Sequence, residues 1–163
     1  MSSNKYLPHV YVLPEDDANG NIADGFELHL PRGSRRFQVL PSAGGWVRVL
    51  EEFDKTYRVE MEKYPYRHMV LLIDFDEQDD RLIQIKKVIP YELANRVFVL
   101  GVWSEPEALK RAGLGTYEAI GLKLAQDCRD STNVTWNHEL LQHNSEELRR
   151  MTPVLKPILF PPP

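Results

Sequence analysis

Short apolar runs rich in β-branched residues alternate along the chain with longer stretches in which apolar residues recur every three or four positions. A short continuous apolar run is typical of a buried strand, whereas the longer spacing is typical of one face of a helix. The pattern therefore predicts alternating strands and helices. The four predicted strands are His9–Leu13, Arg36–Leu40, His68–Ile73 and Arg96–Val102.

Amphipathic stretches predict the helices. The clearest one places Trp46, Val49, Leu50, Phe53 and Tyr57 on a single face and charged residues on the other. Beyond residue 130 we expect a helical or irregular region with a capping signal in its second half and a proline-rich end. The other predicted helices are Ile22–Leu30, Leu82–Ile89, a segment that begins at Ser104, and Tyr117–Asp127.

The order of these elements predicts an α/β fold. Strands that alternate with helices fold into a mainly parallel, four-stranded sheet between two helical layers, a three-layer sandwich, because the crossover connections are right-handed. The third run, His68–Ile73, is continuously apolar, so we expect it at the sheet centre. The length of 163 residues fits one domain, in which residues 1–130 form the α/β part and residues 131–163 a helical extension with a proline-rich tail.

Composition narrows the function classes. A net charge of −4 excludes a protein that is held on DNA mainly by excess positive charge. The single cysteine, Cys128, excludes an intrachain disulfide and a zinc site made of thiolates, which favours a reducing compartment. Because no apolar run is long enough for a membrane span or a signal peptide, we expect a cytoplasmic protein with no membrane partner.

Acidic residues and a glycine pair follow the predicted strands. Ligands of parallel α/β sheets bind beyond the carboxyl ends of the strands, so these loops are where we expect the chemistry. The glycine pair would let a backbone approach a ligand, or would simply form a strand-to-helix turn. The segments are Glu15-Asp16-Asp17, Gly44-Gly45, Asp74-Phe75-Asp76-Glu77 and Ser104-Glu105-Pro106-Glu107.

Three of these carboxylates predict a metal site. Asp74 and Asp76 are two residues apart in a segment expected to be extended, which would direct both side chains to the same side. With Glu15 from the first strand they would form an oxygen-rich site for Mg²⁺ or Mn²⁺. The competing interpretation is helix capping, which suits Asp16 or Asp17 better than Asp74.

The ordered set of motifs resembles the Toprim domain of topoisomerases, DnaG-type primases and OLD-family nucleases. The resemblance covers about residues 8–112, and the second and third strand segments are similar to those of small, stand-alone bacterial Toprim-like proteins. It rests on the strand that ends at Glu15, on Phe37–Trp46 with its glycine pair, and on Leu71–Asp76. It implies a Toprim- or Rossmann-like sheet, with Glu15 as the general acid or base and Asp74 and Asp76 as Mg²⁺ ligands.

The chain departs from the Toprim pattern at two positions. Asp16 stands where the family usually has glycine, and Gln78 stands where many members have a third aspartate. Asp16, Glu77 and Glu105 are the candidates for the missing ligand. We expect Gly44, Gly45 and Arg48 to approach a phosphate, although solvated surface charge is the plainer interpretation of Arg48.

The functional expectation is Mg²⁺-dependent hydrolysis of phosphodiester bonds in nucleic acid. No motif places a tyrosine as a covalent nucleophile, and 163 residues leave no room for the strand-passage modules of a topoisomerase. The expected partners are nucleic acid, a separate ATPase subunit, as the OLD-type resemblance implies, and a second copy of the chain. The alternative is a non-catalytic Toprim-fold module that binds a metal, a nucleotide or a protein.

Overall fold

Residues 3–163, the part described by the computed structural model, contain one sheet of four parallel strands in the order β2-β1-β3-β4. This order confirms the predicted α/β class and the central place of the third run, which pairs with β1 on one side and β4 on the other. The carboxyl ends of all four strands lie along one edge of the sheet, because every pairing is parallel. The strands are β1 (His9–Pro14), β2 (Phe37–Val39), β3 (Arg67–Leu72) and β4 (Val97–Leu100).

Helices connect the strands. The amphipathic stretch that begins at Trp46 is longer than its pattern predicts, since it runs through a π-helical turn, Phe53–Tyr57, and ends at Lys63. Among residues 3–163 no helix is both long and apolar enough to span a bilayer. The α-helices are α1 (Asp17–Glu27), α2 (Trp46–Glu52), α3 (Arg58–Lys63), α4 (Arg81–Lys86), α5 (Pro106–Arg111), α6 (Tyr117–Asp130) and α7 (Ser145–Leu159), with 3₁₀ turns at Tyr91–Arg96 and Gln142–Asn144.

Each face of the sheet is covered by its own apolar core. Alternate residues of β1 point to opposite faces, so that Val10 and Val12 belong to one core and Tyr11 and Leu13 to the other. The first core is completed by residues of α1, α6 and α7, and the second by residues of α2, α3 and α4. Because both faces are buried, the strands are mainly apolar, although His9 and Arg67 are fully buried at the starts of β1 and β3.

Two glycines let α1 and α6 approach closely. A Cβ atom at Gly121 would lie 1.9 Å from the carbonyl oxygen of Ile22, and one at Gly25 would lie 2.1 Å from the carbonyl oxygen of Glu118. Neither position has room for a side chain. The helix pair therefore depends on both glycines for its separation.

Polar side chains of the C-terminal region satisfy the free edge of β4. Asn144 accepts a hydrogen bond from the N–H of Gly101 at 3.1 Å and donates one to its carbonyl oxygen at 2.9 Å. Oε2 of Glu147 accepts the N–H of Val99 at 2.9 Å, and Arg150 donates to the carbonyl oxygen of Val97 at 3.0 Å. A strand edge that would otherwise be open to another chain is thus occupied within the molecule.

Candidate functional site

The ends of the two central strands bring Glu15 and Asp74 together. The backbone N–H of Glu15 donates to the carbonyl oxygen of Leu72 at 2.8 Å, and the backbone N–H of Asp74 donates to Oε2 of Glu15 at 2.6 Å. Both residues are buried, with 9% of Glu15 and 8% of Asp74 exposed. Two of the three carboxylates predicted for the metal site therefore lie side by side beyond β1 and β3.

Asn19 links Asp74 to Asp16. Oδ1 of Asp16 caps α1 by accepting the backbone N–H of Asn19 at 2.9 Å, as the capping interpretation expects. Nδ2 of the same asparagine donates to Oδ1 of Asp16 at 2.9 Å and to Oδ1 of Asp74 at 2.8 Å. Asn19 is fully buried, and its Oδ1 has no hydrogen-bond partner among residues 3–163. The side-chain amide of Asn19 thus donates to both Asp16 and Asp74, while its oxygen has no hydrogen-bond partner among the described residues.

The acidic environment changes the proton affinity of both carboxylates. Burial is the main reason that the pKa of Asp74 rises to about 7; the charges of Glu15, Asp16 and Asp76 add to the rise, while the Asn19 hydrogen bond opposes it. Burial likewise raises the pKa of Glu15, although the hydrogen bond from the Asp74 N–H lowers it. Asp74 therefore exchanges its proton near neutral pH when no cation is bound.

Asp76 does not join this pair. The extended segment predicted from Asp74 to Asp76 stops at Phe75, because Asp76 and Glu77 have positive φ angles of 49° and 59° and form a turn. Oδ2 of Asp76 accepts a hydrogen bond from Arg81 at 2.5 Å, and the Asp76 side chain is 54% exposed. Glu77 is also exposed.

Arg81 holds the turn that carries Asp76. The same guanidinium nitrogen that binds Asp76 donates to the carbonyl oxygen of Asp74 at 2.8 Å. The guanidinium also lies over the indole ring of Trp46, 4.5 Å from its centroid. Arg81 therefore sits at the rim of the site, bound to the backbone of one acidic residue and to the side chain of another.

The glycine pair positions Glu15. The amides of Gly44 and Gly45 donate to the carbonyl oxygen of Glu15 at 2.8 and 3.1 Å, so they face the protein. Their φ angles of 95° and 140° are ones that other residues rarely adopt, which explains why glycine occupies both positions. Arg48 is exposed on α2, and its Cδ would lie 3.7 Å from a Cβ atom at Gly44.

Glu105 lies apart from the pair. It is exposed at the start of α5, and its Oε1 forms an ion pair with Arg111 at 3.2 Å. In chain order it follows β4, an edge strand of the sheet, whereas Glu15 and Asp74 follow the two central strands. Its charge is thus engaged on its own helix.

The carboxylate oxygens of this site suit a cation that the protein coordinates at only some of its positions. Among residues 3–163, no three or more His, Cys, Asp or Glu side chains form a group that could hold a metal ion. Glu15 and Asp74 nevertheless place two buried carboxyl groups at neighbouring strand ends, and no Lys, Arg or His in the described part forms an ion pair with either carboxylate. Mg²⁺ commonly binds one or two carboxylates and keeps water or phosphate oxygens for its other positions. The residues present therefore fit a two-carboxylate Mg²⁺ site and do not fit a protein cage.

Sequence reasoning missed Asn19 and Arg81. Asn19 follows Asp16 by three residues, the spacing at which a capped residue faces back toward its cap, and this signal could have identified it. Arg81 lies seven residues beyond Asp74 and reaches it only because the intervening chain turns at Asp76 and Glu77. No pattern in the sequence marks that turn.

Comparison with protein-family models, with curated proteins and with solved structures finds no match to this chain.

Proposed function

We propose that the chain is a Toprim-like domain that hydrolyses phosphodiester bonds in nucleic acid with Mg²⁺ or Mn²⁺. The observation that carries this proposal is the buried pair of Glu15 and Asp74 at the carboxyl ends of the two central parallel strands. Adjacent buried carboxylates repel each other, so a divalent cation that binds both relieves a cost that the fold otherwise bears. The order of Glu15, the glycine pair and Asp74 in the sequence supports the same assignment.

Each residue has a distinct part in this proposal. A bound divalent cation polarises the phosphodiester and stabilises the charge that develops on it. Asp74 supplies a carboxylate oxygen, and Asn19 fixes that carboxylate through its Nδ2. Glu15 takes up or releases the proton of the attacking or leaving oxygen. Gly44 and Gly45 hold the Glu15 backbone in place.

The pairing of Asp76 with Arg81 favours the alternative function. If that ion pair persists, the site retains two carboxylates and Asp76 does not act as a ligand. A module of this kind would bind a metal, a nucleotide or a protein without turnover. The proposed hydrolysis includes the partners expected from the sequence. These are nucleic acid, a separate ATPase subunit and a second copy of the chain.

The test is cleavage of single- and double-stranded DNA and RNA with Mg²⁺ or Mn²⁺, together with Mn²⁺ binding measured by electron paramagnetic resonance. We expect the Glu15→Gln/Asp74→Asn double variant to lose at least about 100-fold in cleavage rate. The matched control is Asp54→Asn/Glu62→Gln. It removes the same charges from exposed positions on the helical stretch from Trp46 to Lys63, called the long helix below, and should leave the rate unchanged. The circular dichroism spectrum verifies that each variant is folded.

The possible outcomes separate the two functions. Cleavage that survives in the Glu15/Asp74 variant overturns the proposed site. Mn²⁺ binding that is lost in that variant, with no cleavage of any substrate by the wild-type chain, supports the binding module. Absence of both Mn²⁺ binding and cleavage overturns the proposed hydrolysis and the metal-binding form of the alternative.

A further inference from the structure

A cleft of about 500 Å³ opens between α6, α7 and the segment that joins them. Neither Glu15 nor Asp74 lines it, and the same holds for Asn19 and Arg81. Its volume lies in the range of pockets that bind small molecules, about 300–1,000 Å³. Because it is separate from the acidic pair, its occupant does not depend on the proposed hydrolysis.

The floor of the cleft is apolar and continues into the core. Phe26, Leu124, Cys128, Trp136 and Met151 line the cleft, and all five also border a smaller void of about 70 Å³ in the core on the same face of the sheet. The void is surrounded only by apolar side chains. An apolar group that enters the cleft can therefore contact these five side chains, while the rest of the lining is mainly polar.

The rim of the cleft carries positive charge. Its cationic residues are Arg149, which is exposed, and Lys156, whose Nζ donates to Oγ of Ser131. Asp127 is the acidic residue of the lining, but it is buried and its carboxylate accepts hydrogen bonds from Thr132 and from backbone N–H groups of the 134–136 segment at 2.6–3.3 Å. The hydrogen bonds of the Asp127 carboxylate are thus satisfied inside the loop, and two cations, Arg149 and Lys156, belong to the lining.

We propose that this cleft binds a small amphipathic anion, a single carboxylate on an aliphatic chain of medium length. The chain lies on the floor formed by Leu124, Trp136 and Met151, where burial of apolar surface supplies the affinity. The carboxylate lies at the rim, where Lys156 and Arg149 donate charge-assisted hydrogen bonds to it. A neutral chain of equal length lacks these bonds, and a cationic one is repelled.

The methionines provide a site-specific probe. Met151 lies in the cleft, whereas Met61 and Met69 are fully buried in the core on the other face of the sheet. The chain is labelled with ¹³C in the methionine methyl groups, the signals are assigned with single Met→Leu variants, and decanoate is added below its micelle concentration. We expect the Met151 signal to shift and saturate while the Met61 and Met69 signals stay in place.

Charge variants test the rim. We expect Arg149→Gln/Lys156→Gln to weaken decanoate binding at least about tenfold, because each charge-assisted hydrogen bond contributes a comparable factor. Lys55→Gln/Lys87→Gln, which removes two exposed cations, one in the π-helical turn and one just after α4, on the opposite face of the sheet, should bind as the wild-type chain does. Decanol should bind more weakly than decanoate to the wild-type chain.

Three results would overturn the proposal. The first is a Met151 signal that does not move, which leaves the cleft without this ligand. The second is a shift of the Met61 and Met69 signals together with that of Met151, which is the response to a detergent. The third is equal affinity for decanoate and decanol, or equal affinity of the rim variant and its control, which removes the role of the two cations.

Discussion

The backbone N–H of Asp74 donates a 2.6 Å hydrogen bond to Oε2 of Glu15, and this bond joins the ends of the two central strands. It also gives the two carboxyl groups different proton affinities. Glu15 receives a donor that favours its charged form, whereas Asp74 is desolvated next to Glu15 and depends on Asn19 for its only opposing hydrogen bond. Asp74 is therefore the group of the pair whose ionisation costs the folded chain most.

The stability of the metal-free chain should depend on pH through Asp74. The pKa of Asp74 is about 7 in the folded chain and 3.8 ordinarily, so the folded chain binds the extra proton between these values. The free energy of unfolding should then fall as pH rises from about 4 to about 7 and stay level above that. We expect Asp74→Asn to remove this part of the decline and to stabilise the chain at pH 8 by on the order of 1 kcal/mol or more.

Urea unfolding in the presence of EDTA, repeated across this pH range, measures the effect. Asp54→Asn, an exposed position on the long helix, is the control and should retain the wild-type slope. An Asp74→Asn curve parallel to that of the wild type would contradict the burial argument. Addition of Mg²⁺ at pH 8 should stabilise the wild-type chain and not the Asp74→Asn variant, since only the former retains both carboxylates.

Arg81 should contribute to stability through its hydrogen bond to the Asp74 carbonyl. Arg81→Met keeps an apolar stem beside Trp46 but removes the donors to Asp74 and Asp76. We expect a loss of about 1–2 kcal/mol, at the low end for a charged hydrogen bond because the Asp76 side chain is half-exposed. The measurement is urea unfolding at pH 8.

Arg48→Met is the matched control for this change. Arg48 is an exposed arginine on α2, in the same region of the chain surface as Trp46. Its replacement should change the free energy of unfolding by less than about 0.5 kcal/mol. Equal effects of the two substitutions would show that the Arg81 contacts do not stabilise the turn.

The fold was predictable because its signals are local. The third strand is continuously apolar from Met69 to Leu72, and such a run is compatible with a position between two other strands and two helical layers. The juxtaposition of Glu15 and Asp74 was predictable for a related reason, since the carboxyl ends of parallel strands share one edge. Both inferences need only the order of the elements and their type.

The rest of the site depends on backbone conformation and tertiary contacts. The positive φ angles at Asp76 and Glu77 turn the chain where the two-residue spacing predicts an extended segment, and Arg81 then pairs with Asp76. The amides of Gly44 and Gly45 bind the Glu15 carbonyl, although a glycine pair equally well predicts a phosphate contact. Propensity and spacing do not contain this information, because it depends on the local backbone turn at Asp76 and Glu77 and on a contact between Glu15 and a glycine pair that is distant in the sequence.

Asn144 should be required for the closed edge of β4. Asn144→Ala removes the side-chain amide that hydrogen-bonds both the N–H and the carbonyl oxygen of Gly101. We expect a loss of about 2–3 kcal/mol in the free energy of unfolding, because each unpaired buried group costs about 1–3 kcal/mol. Urea unfolding measures this loss, and size-exclusion chromatography shows whether the freed edge promotes association.

Asn133→Ala is the control for the Asn144 substitution. Asn133 is exposed in the loop after α6, and its removal should change stability by less than about 0.5 kcal/mol. If Asn144→Ala were no more destabilised than this control, the edge would not depend on the side-chain contacts of Asn144.

The separation of α1 and α6 should depend on Gly121 more than on helix propensity. Alanine is favoured over glycine within a helix by about 1 kcal/mol, so propensity alone predicts that Gly→Ala stabilises. At Gly121 the new Cβ atom would lie 1.9 Å from the Ile22 carbonyl oxygen, which forces the helices apart. We expect Gly121→Ala to lower the free energy of unfolding by about 1–3 kcal/mol, the usual cost of overpacking.

Gly20→Ala tests the same substitution without the clash. Gly20 lies in α1, and the atom nearest to a Cβ there is Cγ of Pro14 at 3.7 Å, an ordinary contact. This variant should therefore be as stable as the wild type or more stable, by up to about 1 kcal/mol. Thermal and urea unfolding of the two variants give the comparison, and stabilisation of both variants would mean that propensity, not the contact between the helices, decides the outcome.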